Sequence, residues 1–219
     1  MSKTLYLSKT DRLLFNFSKL IPLTYIRLVI GTIPENTKSI LDLGCGSGDF
    51  MKIINSDNNY KVDGVDIFPE YVENARKIGV YERVFNRDIL KFDNNKKYDV
   101  VFMAHIIEHF TKEEGIRLLN KVEKFARKRI IVITPNGEYE QGEYDYNPYQ
   151  KHKSAWEVGD FDKLDYKVNG QGWKFLYRNS YVGKLGYLFY LLYVFSTLTQ
   201  PLLRIRPDKA LQLICYKDV

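Results

Sequence analysis

A short apolar run, Ser39–Leu43, ends in the glycine-rich turn Gly44-Cys45-Gly46-Ser47-Gly48, and a helical pattern opens at Asp49. Few folds accept that arrangement. Glycines at alternate positions admit left-handed backbone and leave no Cβ to hold a neighbouring group away. Strand, glycine turn and helix in that order are how an open α/β sheet brings a ligand to the carboxyl end of a strand. The expectation is a parallel sheet covered by helices on both faces.

The chain downstream fits this. Residues 61–66, 83–86, 98–103 and 129–134 read as strands. Helical patterns lie between them at 49–55, 69–78 (with Pro69 in the first turn) and 111–128. In the last of these Thr111 and Glu114 form a capping box, and Ile116, Leu119, Val122 and Phe125 line one side. Residues 138–151 form a polar, tyrosine-rich loop. A helix capped by Ser154 (154–164), a strand (166–170) and a last strand (210–217) follow, making seven strands. Ahead of the sheet, 11–20 and 23–33 read as helices separated by Pro22 and closed by Pro34. The chain is expected to be a single domain, 1–219. It divides into an N-terminal helical cap (1–37), a Rossmann-like core (38–178 and 208–219) and a hydrophobic helical insertion (179–207).

Composition narrows the setting. With 45% hydrophobic and 27% charged residues, the chain is neither disordered nor coiled coil. Two cysteines, Cys45 and Cys215, exclude a disulfide framework, and residues 1–20 do not read as a secretory leader. A cytoplasmic location follows as the expectation. The net charge of +6 is mild and gathered in no basic run.

Three details refine the glycine turn. Its spacing is G-x-G-x-G, where dinucleotide sites carry G-x-G-x-x-G. Asp42 precedes the first glycine by two positions, and Asp66 ends the next strand 18 residues after Gly48. A carboxylate there suits a ribose diol, which needs an acceptor for two hydroxyls. With these residues the chain resembles the class I S-adenosylmethionine-dependent methyltransferases over roughly 38–178 and 208–219. The resemblance implies a three-layer sandwich around a seven-stranded, mostly parallel sheet of order 3-2-1-4-5-7-6, with the last strand antiparallel. It also implies S-adenosyl-L-methionine as cofactor. Asp42, Gly44, Cys45, Gly46 and Gly48 would hold its methionine end, Asp66 its ribose, and Ile67, Asp88 and Ile89 its adenine. Ala104 and His109, with His105 and Glu108 between them, match the family's loop beside the transferable methyl group.

Plainer readings accompany these. Asp66 could cap the turn before Pro69, Asp88 could be a merely solvated carboxylate, and His109 could be structural support. The histidines His105, His109 and His152 all follow strand ends. His152 is the preferred general base, with His105 and Glu108 as further catalytic candidates. The H-E-x-x-H order is absent, so no metal is expected. Asn147-Pro148-Tyr149 reads as a loop turn, not the box of base methyltransferases that follows strand four.

Residues 185–203 carry no charge and are apolar around the whole of any helix, so they need burial in protein or lipid. Flanked by Lys184, Arg204 and Arg206, they suit peripheral contact at the inner face of a membrane, a cover for the substrate site, or a homodimer contact. The expected activity is direct methyl transfer to a hydroxyl of a small-molecule, glycan or lipid-linked acceptor. The alternatives are an RNA methyltransferase, favoured only by the mild positive charge and supported by no basic run or RNA-binding module, and a non-catalytic cofactor-binding protein; DNA is not an expected partner.

Overall fold

The computed structural model describes residues 23–139, 141–142, 146–177 and 194–219. The cap helix expected at 11–20 and residues 185–193 of the uncharged run lie outside them.

The described chain builds one seven-stranded sheet flanked by helices. In order come α1 (Tyr25–Thr32), β1 (Ser39–Leu43), α2 (Asp49–Ile54), β2 (Lys61–Asp66), α3 (Pro69–Ile78), β3 (Arg83–Asn86) and β4 (Tyr98–Ala104). Then follow α4 (Lys112–Val122), β5 (Ala126–Pro135), α5 (Val158–Asp162), β6 (Lys167–Trp173), α6 (Lys174–Tyr177), α7 (Leu202–Ile205) and β7 (Ala210–Asp218). The strand order is β3-β2-β1-β4-β5-β7-β6, as expected. β1 pairs in parallel with β2 and β4, and β7 runs antiparallel to both β5 and β6.

Strand alternation explains the two layers of core. Leu41, Leu43, Val101, Met103 and Val132 face Leu118, Leu119 and Val122 of α4 and Phe161 of α5. Their neighbours Ile40, Val62, Val100, Phe102 and Ile131 face Val29 of α1 and Met51 and Ile54 of α2. Both faces are dry, so the central strands are apolar throughout.

Several boundaries differ from the expectation, each for a local reason. The helix beginning at Thr111 keeps its capping box but ends at Val122. A single tight turn, Glu123–Phe125, then leads into β5, which takes Ala126–Lys128 as strand. Pairing with β4 begins at Ala126, and sheet hydrogen bonds there displace the helical pattern. Ile116, expected on the buried side, is 37% exposed, and Gly115, Leu118, Leu119 and Val122 form the inner stripe. Ser154 does not cap a helix. Its hydroxyl accepts from the Trp156 indole, and α5 starts at Val158 behind a capping box made by Glu157 and Asp160. α1 starts at Tyr25, since Leu23 has a left-handed backbone (φ 70°). β6 extends past Gly170 to Trp173 along β7.

One buried ion cluster ties three elements together at the amino end of the sheet. Asp63 of β2, with its side chain fully buried, accepts from Arg83 of β3 at 2.6 Å, from Lys96 at 2.9 Å and from the Tyr98 hydroxyl at 2.6 Å.

Candidate functional site

The carboxyl ends of β1, β2 and β4 lie side by side, and the sequence-expected residues gather there. All three glycines of the turn after β1 have left-handed backbone, with φ of 74°, 53° and 86°. Their roles differ. A Cβ on Gly44 would sit 2.5 Å from the Ile106 side chain, and one on Gly48 would sit 2.7 Å from the Tyr81 ring. Those two glycines make room for protein. A Cβ on Gly46 would meet nothing within 4 Å, so Gly46 borders open space.

The backbone of the turn is held from within. The amides of Gly44 and Cys45 both donate to the Val65 carbonyl, and that of Gly48 to the Cys45 carbonyl. The Gly46 amide donates to Oδ2 of Asp66 at 2.9 Å. Four amides of the turn are therefore committed within the protein. They are spent on rigidity, and side chains must supply most of the polar contacts. Cys45 is buried, and burial, reinforced by Asp42 and Asp66, pushes its thiol far up. It is no nucleophile.

Asp66 accepts at both oxygens, from Gly46 and, at Oδ1, from the Phe68 amide at 2.9 Å. Each carboxylate oxygen accepts more than one bond, so capacity for a ligand remains. Burial raises its pKa against the lowering effect of those amides. Asp42, buried at the end of β1, accepts at 2.7 Å from the Tyr81 hydroxyl. Burial pushes its pKa up to about 7; the Tyr81 bond opposes this and the Asp66 charge adds to it. Ile67 is half-buried beside Asp66. Asp88 caps its own turn by accepting at Oδ1 from the Leu90 amide at 2.9 Å, and its Oδ2 lies 4.0 Å from Nζ of Lys91. Ile89, beside Asp88, is buried in the core.

After β4 the chain turns sharply. Ala104 is half-buried at the strand end, and His105 adopts φ 53°, a left-handed conformation costly for a residue with a Cβ. The His105 ring reaches both Glu108 and α1. Its Nδ1 lies 3.5 Å from Oε1 of Glu108, and its Nε2 lies 3.3 Å from the Tyr25 hydroxyl. Glu108 is buried. Burial alone would raise its pKa, but the His105 ring beside it holds the carboxyl below its ordinary range. Its Oε2 accepts from Thr134 at 3.2 Å. His109 is buried, which lowers its pKa and keeps the ring neutral near pH 7. His152, on the loop after β5, packs its ring edge-on against His109 with centroids 5.0 Å apart. The loop turn expected at Asn147-Pro148-Tyr149 is present, with Asn147 accepting from the Tyr149 amide.

Tyr25, Tyr81 and Thr134 were not expected here. Tyrosines elsewhere in the chain look the same in sequence, and only packing shows that these two reach a carboxylate and an imidazole. The arrangement can bind a ligand carrying hydroxyls and a cation against Asp42, Gly46 and Asp66, and can move a proton at the adjoining His105–Glu108 pair.

Residues 40–129 match the family described as a methyltransferase domain. No curated protein sequence matches the chain. Among solved structures, the small RNA methyltransferase HEN1 is similar with a TM-score of 0.59 and 20% identity over 88% of this chain. The match covers 24% of HEN1, so this chain spans about a quarter of that protein's length. The plantazolicin methyltransferase BpumL, in complex with a triazolic desmethylPZN analog and SAH, matches with a TM-score of 0.56 and 19% identity. That match covers 96% of this chain and 91% of BpumL. The methyltransferase domain of bacterial CtHen1-C matches with a TM-score of 0.57 and 16% identity, over 92% of this chain and 97% of that one.

Proposed function

We propose that this chain, a class I S-adenosylmethionine-dependent methyltransferase whose family match spans residues 40–129, methylates a hydroxyl of a small-molecule, glycan or lipid-linked acceptor. The observation that carries the reading is the open space at Gly46, whose amide binds Asp66, at strand ends that also carry the buried Asp42 and the His105–Glu108 pair. The residues fit the cofactor: a cation suits the buried carboxyl of Asp42, and a diol suits the spare acceptor capacity of Asp66. When bound, the cofactor supplies a methyl group already activated on sulfur.

The protein's own work is then positioning, proton removal and exclusion of water. Asp66 would fix the ribose, Ile67 would lie against the adenine, and Asp88 would accept from its amine. Holding the acceptor in line could supply up to about 7–11 kcal/mol of the barrier. A hydroxyl gains further from a base, and we assign that role to His105. Glu108 orients its Nδ1 and would stabilise the imidazolium formed, while Nε2 faces the position now neighboured by Tyr25 of the cap helix. His152 makes its ring contacts with His109 and Tyr139.

An apolar acceptor is supported by the exposed Val194, Phe195, Leu198 and Leu202 at the end of the uncharged run and by Ile205 just beyond it. Among the described residues no helix is long and apolar enough to cross a membrane. Two of the neighbours named are HEN1-type proteins, one of them a small RNA methyltransferase, so the comparisons do not disfavour RNA. RNA is accordingly the second reading.

Calorimetry with S-adenosylhomocysteine tests the cradle: Asp66→Ala is expected to weaken binding by a few kcal/mol, because ribose hydroxyls lose their acceptor. Unchanged affinity would remove the site assignment. Transfer of labelled methyl into polyprenyl-linked sugars, measured against transfer into RNA at rising salt, decides the acceptor. A label found only in RNA would overturn the first reading.

A further inference from the structure

Glu108, His109 and His152 converge from the β4 turn and the distant loop after β5. One ligand atom of each lies within 4.8 Å of the other two. Packing alone does not account for this cluster. Oε2 of Glu108 accepts from Thr134, but Oε1 is buried with no hydrogen-bond partner, its contact with Nδ1 of His105 being a long 3.5 Å. A buried carboxylate oxygen without a hydrogen bond is costly, and a cation held beside it would offset that cost.

The two imidazoles are also set up to donate electron pairs. Nδ1 of His152 lies 2.6 Å from the Tyr139 carbonyl, and Nδ1 of His109 lies 3.3 Å from the Lys151 carbonyl. A carbonyl only accepts, so each neutral ring carries its proton on Nδ1 and keeps a lone pair on Nε2. Backbone carbonyls orient metal-binding histidines in this way. The loop is fastened as well: the amides of Lys153 and Ser154 both donate to the Glu108 carbonyl, fixing the segment after His152 to the turn that carries Glu108.

We propose that Glu108, His109 and His152 form a site for one divalent transition-metal ion, whose remaining positions take water or an oxygen of the acceptor. Two imidazoles and one carboxylate favour Zn²⁺, Mn²⁺ or Co²⁺ over Mg²⁺ and Ca²⁺, and three protein ligands are the number that leaves a coordination position open. The last part of the proposal rests on the methyltransferase reading: a hydroxyl on such an ion ionises more readily, and its proton passes to His105. The second lone pair of Oε1 lets Glu108 serve the ion and His105 together.

The test uses the full chain, stripped with chelator, loaded with Co²⁺ or Zn²⁺, passed through gel filtration and assayed for bound metal. One ion per chain is expected, with Co²⁺ absorption bands of imidazole ligation and little competition from excess Mg²⁺. His152 lies on a half-buried loop, so His152→Ala probes the site without opening the core. It is expected to weaken metal binding by at least the 10–100-fold that loss of an outer partner costs. Glu108→Gln should do likewise. Titration of the same samples with S-adenosylhomocysteine separates the two claims. Cofactor bound without metal, or metal bound equally by wild type and both variants, overturns the metal site and leaves the methyltransferase reading intact. Metal bound without cofactor would instead overturn the reading of the cradle.

Discussion

The Tyr81 hydroxyl donates a 2.7 Å hydrogen bond to Asp42, so a residue just beyond α3 holds the carboxylate at the mouth of the first glycine turn. The same ring fills the space that Cβ atoms on Gly48 and Gly64 would need. One aromatic side chain therefore explains two glycines and orients one acid. It also couples cofactor binding to pH.

Burial pushes Asp42 up to about 7 despite the Tyr81 bond. In the free protein its carboxyl is mostly protonated below that pH, whereas a cationic ligand favours the carboxylate. Binding must then expel a proton. Affinity for S-adenosylmethionine is expected to fall by up to about tenfold per pH unit below 7 and to level off above it. Tyr81→Phe removes the opposing bond and should move the break to higher pH. Calorimetry in two buffers of different ionisation enthalpy reads the released proton directly. A flat affinity from pH 5.5 to 8.5 would contradict the coupling.

The glycines of the turn separate stability from binding. Gly44→Ala strains a left-handed backbone and drives a Cβ into Ile106, so it should lower folding stability by more than the ~1–2 kcal/mol of backbone strain alone. Gly46→Ala has the same backbone strain but free space for its methyl group, and that space is the proposed cofactor position. Its thermal melt should shift less than that of Gly44→Ala, and its cofactor affinity should fall more than the melt explains. Equal effects of the two on binding and melting would show that the space at Gly46 is not used.

Acid tolerance should depend on Asp63. Burial alone would raise its pKa, but hydrogen bonds from Arg83, Tyr98 and Lys96 hold it down to about 2. A carboxyl depressed in the folded state adds stability that is complete above its unfolded value of roughly 3.9. That contribution is lost as pH falls through the folded value. The loss therefore falls between about pH 4 and 2. Because the Arg83 and Lys96 heads are partly in water, the contribution is on the order of 1–2 kcal/mol rather than the full shift. Urea melts of wild type and Asp63→Asn at pH 7 and pH 2.5 test this: the gap between them should narrow at the lower pH.

Much of the fold was legible in the sequence because its signals are local. β1, β2, α3 and β3 carry their own boundaries in apolar runs, Pro69 and the glycine turn, and the structure keeps all four as expected. The end of α4 was not legible, since Ala126–Lys128 are adequate helix formers that β4 recruits into the sheet. Ser154 was misread because a hydroxyl before an apolar stretch signals a cap, and only the fold shows the Trp156 indole as its partner. At the site, Asp42, Gly46 and Asp66 stand out by spacing. The Glu108–His109–His152 cluster does not, for it joins the β4 turn to a loop beyond β5, and no short motif records that closure. Tyr25 was invisible for the same reason.

Gly115 sets helix propensity against packing. It lies in the middle of α4, where alanine should stabilise the helix by about 1 kcal/mol. A Cβ there would collide with the Trp156 ring and press on Ile107, both fully buried. Neither ring nor chain has room to yield, and overpacking of a filled core costs about 1–3 kcal/mol. Packing therefore wins, and Gly115→Ala is expected to lower the melting temperature. The effect should reach the site, because Trp156 follows the residues whose amides hold the Glu108 carbonyl. Catalytic turnover should fall further than cofactor affinity, since Glu108 and His105 move while Asp42 and Asp66 stay. A rise in melting temperature with unchanged turnover would mean that the Trp156 segment is looser than its contacts imply, and that the β4 turn does not depend on it.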